Sequence, residues 1–377
     1  MPLLSELSDL HGRLQDDLFP YLEESLGPLG PKYRQLVTAL EMVPVGAFLT
    51  QWPGGRGRPP ADRVPLARAF IAKMVFNIPT TAHLIERLGH DKTLRRLCGW
   101  HRVGAVPGAH TFSRAFAEFA ACELPWRMHE ALILATHKHR LVGHISRDST
   151  AIEVREKPVK VQAPKRCRRK RPPQKGEPGW ESVRRLVRQS SMTLEEMLAD
   201  LPRHCATGVK PNAKGHTTFW TGFKLHLDTA DGGIPVTALL TSASLHDSQA
   251  AIPLMTMTSR RLVYLYELMD PAYAAPQIDA ASRALGHVPI VPEQCRRDKA
   301  LKDEMMAEAK ARRTINFQTA EQVRYCERTT AERVNARLKD EFGARFVRVR
   351  GHAKVMCHLM FGLLALTVDQ LMRLTAG

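Results

Sequence analysis

Four residues near the C-terminal end carry side chains that can work together. Tyr325, Arg328, Glu332 and Lys339 follow one another at intervals of three, four and seven residues, a Y-x2-R-x3-E-x6-K pattern. On a helix turning about 100° per residue they project at about 0°, 300°, 340° and 320°, inside a stripe roughly 60° wide. A carboxylate flanked by two cations and a phenol on one helix face suits a site that holds metal and grips phosphate. Ala331, Val334, Leu338 and Phe342 fall at about 180–260° by the same arithmetic and supply a separate face to bury. The plainer alternative is a surface helix with ordinary i,i+4 Arg–Glu pairing.

The partner carboxylates stand at predicted strand ends. Residues 141–147 read as a short strand that ends at Asp148-Ser149-Thr150, and 262–269 as another that ends at Asp270. Between them, 219–228 alternates apolar and polar residues, Asp231-Gly232-Gly233 makes a hairpin turn, and 234–241 returns antiparallel. A helix opens at His246-Asp247-Ser248. Further helices are expected over 276–286, 299–312, 319–342 and 353–374, with a short strand at 288–291. Strand–hairpin–helix–strand–helix–strand–helix is the element order of a ribonuclease-H-like α/β domain, a mixed five-stranded sheet flanked by helices. Side chains at adjacent strand ends of such a sheet converge, so Asp148, Asp270 and Glu332 can meet as metal-binding, catalytic carboxylates. Hard oxygen ligands of this kind favour Mg²⁺ or Mn²⁺. Each acid also has a structural reading: Asp148 as a cap for Ser149 and Thr150, and Asp270 as a turn residue before Pro271. Asp228 and Asp231 are assigned to the hairpin, Asp247 to the helix cap and Asp279 to a helix interior. Asp270 is then the acid that directly ends a buried strand.

Composition narrows the partners. The chain has 377 residues and a net charge of +17, which points to a polyanion, with nucleic acid ahead of membrane. Its longest clean apolar run, 359–368, is half of what a membrane span needs and reads as a buried helix segment. The N-terminus is acidic and amphipathic, unlike a signal peptide. Seven scattered cysteines without C-x2-C spacing argue against a disulfide scaffold or a zinc ribbon and fit a reducing cytoplasm. No phosphate-binding G-x4-G-K-[ST] loop and no strand-linked G-x-G-x-x-G occurs, so no nucleotide cofactor is expected.

Residues 1–138 read as an all-α domain suited to contacting DNA ends, with helices broken at Pro20, Gly27-Pro28 and Gly30-Pro31 and a basic, turn-rich linker at 53–60. One helix is expected within 65–90 and another over 111–138. The catalytic domain is placed at 139–350 with an insertion at about 156–215, followed by a C-terminal helix in 351–377. Within the insertion, Lys165, Arg166, Arg168, Arg169, Lys170 and Arg171 put six cations in seven residues. Such a run repels itself and, laid along DNA, would give steeply salt-dependent affinity. An amphipathic helix over 180–201 would carry Arg184, Arg185 and Arg188 on its polar side.

The chain resembles the insertion-sequence transposases of the DDE class that bear the Tyr-Arg-Glu-Lys signature. The resemblance rests on the four residues above and on Leu97-Cys98-Gly99, Thr111-Phe112-Ser113, Asp148-Ser149-Thr150, Leu245-His246-Asp247-Ser248 and Gly351-His352-Ala353-Lys354-Val355. It implies that Asp148, Asp270 and Glu332 are the catalytic triad and that Tyr325, Arg328 and Lys339 contact phosphates beside the cleaved strand. It further implies a bacterial, nucleoid-associated enzyme acting on terminal inverted repeats and target DNA, as a homodimer that pairs two ends. Two divalent ions about 4 Å apart can activate water and stabilise the leaving 3′ oxygen, after which the 3′-hydroxyl can attack target DNA. The competing readings are a ribonuclease-H-like nuclease without strand joining and a catalytically idle DNA-binding relative.

Overall fold

Residues 3–49, 60–159, 175–177, 180, 183–211, 216–292 and 299–375 are described in a computed structural model. The expected linker at 53–60 falls outside the described residues except for Pro60, and the cationic run at 165–171 falls outside them entirely. α1 (Leu3–Arg13) continues through a π turn (Leu14–Leu18) into α2 (Phe19–Leu26), and α3 (Pro31–Met42) follows. Pro20 therefore does not break the chain. It sits in the first turn of α2, where a missing N–H costs little, behind a widened turn that leaves room for the ring.

Polar caps start the next three helices. α4 (Arg63–Val75) begins where Asp62 accepts from Val64 N–H, α5 (Thr81–His90) where Thr80 accepts from His83 N–H, and α6 (Lys92–Cys98) where Asp91 accepts from Leu94 N–H. The helix expected over 111–138 is two, α7 (Ala109–Ala121) and α8 (Leu124–His137). The break falls at Glu123, whose φ is 51°, just ahead of Pro125, which has no N–H with which to continue a helix.

The second half contains β1 (Leu141–Glu153), α9 (Arg185–Gln189), α10 (Leu194–Asp200), β2 (Ala206–Pro211), β3 (Thr217–Ala230), β4 (Ile234–Ser242), α11 (Ser248–Ser259), β5 (Val263–Leu268), α12 (Pro276–Ala284), β6 (Val288–Ile290), α13 (Lys299–Thr314), α14 (Ala320–Tyr325), α15 (Thr329–Glu341) and α16 (His352–Arg373). The strands form one mixed sheet of six, in the order β2-β3-β1-β5-β6, with β4 also on β3. β1 meets β5 in parallel and β3 antiparallel.

The sixth strand corrects the five-stranded expectation. β2 comes from the insertion and covers the first part of β3, pairing 206–211 with 217–222, where β4 has already ended. An unpaired edge of that length exposes backbone donors and acceptors, which β2 satisfies. Gly208 makes the pairing possible, because a Cβ there would lie 2.2 Å from the Trp220 ring.

The helix expected over 180–201 is also corrected. Thr193 and Glu196 form a capping box that starts α10 afresh. Arg185 and Arg188 turn inward to the Asp200 carboxylate instead of facing solvent.

Successive residues of a strand point to opposite faces. On β1, Arg147 therefore looks toward α11 and Asp148 toward α15. α16 is long and apolar enough to cross a membrane, yet most of it is buried inside the structure. Phe361 of α16 stacks on Phe70 of α4 at 5.8 Å, within one hydrophobic cluster that continues to Leu225 and Leu227 of β3. The N-terminal helices and the sheet thus share a core.

Candidate active site at the end of the parallel strands

α14 and α15 are joined by a single 3-10 turn (Cys326–Arg328) where one helix was expected over 319–342. The apolar face is as the spacing requires: Ala331, Val334, Leu338 and Phe342 are all buried. The opposite stripe carries the polar residues. Arg328 donates from Nη2 to Glu332 Oε1 at 2.5 Å, and its guanidinium lies 5.7 Å from the centre of the Tyr325 ring. This is the ordinary i,i+4 pair, formed at the place where the site is expected.

Asp148 lies inside β1 and not beyond its end. The strand runs on to Glu153 because β3 keeps pairing with it that far. Strand register still aligns the two aspartates. Ser146 is level with Leu268 in the last pair of the parallel ladder, so Asp148 and Asp270 each follow that pair by two residues. The pairing with β5 ends there, and Asp148 opens onto the end of that strand.

α15 crosses above this point. Asn335, one turn after Glu332, donates from Nδ2 to Asp148 Oδ2 at 2.9 Å, and its own Oδ1 is buried with no hydrogen-bond partner among the described residues. Burial pushes the Asp148 carboxyl up to about 6, against the lowering effect of Ser149 N–H, the Asn335 amide and the Arg328 charge, while Glu332 raises it further. Among the described residues no basic side chain donates a hydrogen bond to Asp148, and the Arg328 charge acts on it without one.

Asp148, Arg328, Glu332 and Lys339 share one electrostatic neighbourhood. Burial lowers the Lys339 pKa, which Arg345 and Lys210 lower further and Glu153 and Asp148 oppose. Burial raises the Tyr325 phenol, which also senses Arg328, Asp270 and Glu332. The three acids are not closed into one ligand set. Glu332, half exposed, is folded onto Arg328, and Asp270 Oδ1 accepts from Ala272 N–H at 2.8 Å as the cap of a short 3-10 turn. Among the described residues no three His, Cys, Asp or Glu side chains form a group that could hold a metal ion.

The competing acids are settled by their contacts. Asp231 belongs to the hairpin, accepting from the N–H groups of Gly143 and His144. Asp228 does not. It is buried in a two-pronged pair with Arg147, 2.8 Å on each side, and takes the Thr258 hydroxyl at 2.7 Å. Asp247 caps nothing and pairs with Lys224 at 2.8 Å. Asp279 lies in the first turn of α12, paired to Arg283.

Two residues escaped the sequence reading. Asn335 was legible as the i+3 neighbour of Glu332 on the polar stripe. Arg147 gave no signal, since nothing in the sequence distinguishes a buried arginine beside a candidate acid from a surface one.

Family comparison decides the class. A model described as "Transposase DDE domain" matches residues 144–368, more than half of the chain, including Asp148, Asp270 and Glu332. The chain belongs to the DDE transposase family. A second model, "Transposase domain (DUF772)", matches residues 23–118. No curated protein and no solved structure matches the chain. A DDE transposase of an insertion sequence is a DNA-cutting and strand-transferring enzyme, and the family generally uses divalent metal ions.

Proposed function

We propose that this DDE transposase cuts at the terminal inverted repeats of its own insertion sequence and joins the freed 3′-hydroxyl ends to target DNA, with Asp148, Asp270 and Glu332 as the catalytic carboxylates. The observation that carries this reading is that Asp148 and Asp270 each follow the last β1–β5 pair by two residues, while Arg328, Glu332 and Lys339 all interact electrostatically with Asp148. A half-buried carboxylate with no basic hydrogen-bond partner among the described residues fits a cation, and an oxygen-only donor set fits Mg²⁺ or Mn²⁺, one ion or the two that phosphodiester transfer commonly employs. Bound there, the metal would activate water, and later the 3′-hydroxyl, and stabilise the leaving oxygen.

The protein's own groups do the rest. Arg328 presents a planar fork that can hold a phosphate by two donors once Glu332 swings away. Lys339 supplies a point charge as negative charge develops on the phosphoryl oxygens. Tyr325 offers a ring for a base or a hydroxyl for a phosphate. Asn335 keeps the Asp148 carboxylate oriented. The helices of residues 1–138 would read the DNA end, Lys165, Arg166, Arg168, Arg169, Lys170 and Arg171 would add salt-dependent grip, and two copies would pair two ends.

Glu332→Gln tests the assignment. Cleavage of a DNA end should be lost while end binding stays within a few-fold of wild type; retained cleavage would remove Glu332 from the chemistry. Incubating wild type with donor and target duplexes separates transposition from plain hydrolysis, which would leave cut ends and no joined product.

A further inference from the structure

A second site of opposite charge lies away from the carboxylates. Lys73 projects from α4 and is 5% exposed. Its ammonium makes no hydrogen bond and no ion pair with any described residue, and burial pushes its pKa down to about 8. A buried lysine without a counter-ion is costly to keep charged. Lys73 lines a cavity of about 540 Å³ between the N-terminal helices and the segment that leads into α16. Arg348, Arg350 and Lys354 stand at the same cavity, all exposed, and among the described residues no Asp or Glu lines it.

The backbone adds to the positive field. Thr81 and Ala82 in the first turn of α5 line the cavity, as does Ala109 at the start of α7, which no side chain caps. Helix N-termini carry unpaired N–H groups and partial positive charge, so both favour an anion. The floor is aromatic, from Phe70, Phe112 and Phe116.

We propose that this cavity is a phosphate-binding pocket that takes a backbone phosphate of the bound DNA, with Lys73 as its buried anchor and Arg348, Arg350 and Lys354 as its rim. DNA is favoured over a small free anion because the rim cations face outward, where a strand can pass, on a chain of net charge +17. The pocket joins the two matched regions, since Lys73 lies in 23–118 and Lys354 in 144–368. A strand held there would be gripped by the helical part and by the catalytic part at once. The proposal rests on DNA as the partner but not on which carboxylates cut it.

Lys73→Met tests it in the full-length protein, since methionine keeps the length and removes the charge. The probe is a random-sequence duplex of fixed length, titrated with salt. Losing one phosphate contact should reduce the slope of log affinity against log salt by about 0.9. Inorganic phosphate should raise the Tm of the wild type and not that of the variant. An unchanged salt slope in a folded Lys73→Met protein would overturn the proposal, even if phosphate stabilisation were lost, because the pocket would then serve a small anion only. Should Lys73→Met fail to fold, Arg350→Gln with Lys354→Gln at the exposed rim carries the same measurement. The cleavage assignment is read from the products of Glu332→Gln and the pocket from the salt slope of Lys73→Met, so the two failures read out separately.

Discussion

Arg147 and Asp148 are neighbours on one strand and live in opposite electrostatic worlds. Arg147 is buried on the α11 side and fully engaged. Asp228 grips it at two points, Glu267 Oε1 approaches at 3.4 Å, and the Tyr264 hydroxyl donates to that same oxygen at 2.5 Å. Asp148, on the α15 side, has an amide and a backbone N–H for company and a pKa pushed up by burial. One face sets its cation against two carboxylates, with Glu267 Oε2 left without a hydrogen-bond partner among the described residues. The other holds negative charge in reserve. Buried charge alone therefore does not mark an active site; uncompensated buried charge is the better sign.

The comparison can be broken by removing a charge from each face. Arg147→Met should have the largest effect, lowering stability by about 3–5 kcal/mol, because it leaves Asp228 and Glu267 buried without their cation. The urea midpoint should fall with little change in slope. A loss under 1 kcal/mol would mean that the pair is not the closed structural unit described.

Asp148→Asn should act in the other direction. The folded pKa of about 6 lies above the ordinary 3.8, so ionisation penalises the folded state. That penalty is fully present above pH 6 and disappears as pH falls below 3.8. The variant should thus be more stable than wild type at pH 7.5 without divalent metal, by about 1–2 kcal/mol after allowance for partial exposure. The advantage should shrink between pH 6 and pH 4, and Mn²⁺ should raise the Tm of wild type more than that of the variant. A variant less stable than wild type at pH 7.5 would show that the Asp148 charge is already compensated.

Asp279→Asn sharpens the scale from below. Its pair with Arg283 is exposed and four residues apart on a helix, so stability should change by less than about 0.5 kcal/mol. A larger change would undermine the use of exposure to rank these charges.

Local pattern carried much of the fold. The buried stripe of α15 and the β3–β4 hairpin follow from periodicity and from Gly232 and Gly233 in left-handed conformation at φ 73° and 75°. Breaks were less legible. Pro20 is absorbed behind a π turn, while Glu123, in left-handed conformation, divides two helices. The candidate acids were visible as types at strand ends. Yet Asp148 proved to be mid-strand, since strand length depends on how far β3 continues to pair. The residues 165–171 remain a compositional reading.

Residue chemistry and spacing, which act within a few turns of chain, determined by themselves the polar stripe of Tyr325, Arg328, Glu332 and Lys339, the buried face behind it and the strongly basic surface. Tertiary structure alone decided that Asp148 and Asp270 follow the same β1–β5 pair, that Arg147 is consumed by Asp228, and that Lys73 is buried with no acidic partner among the described residues. Those outcomes depend on which distant carboxylate folds against which cation, and burial then multiplies the energetic consequence of each match or mismatch.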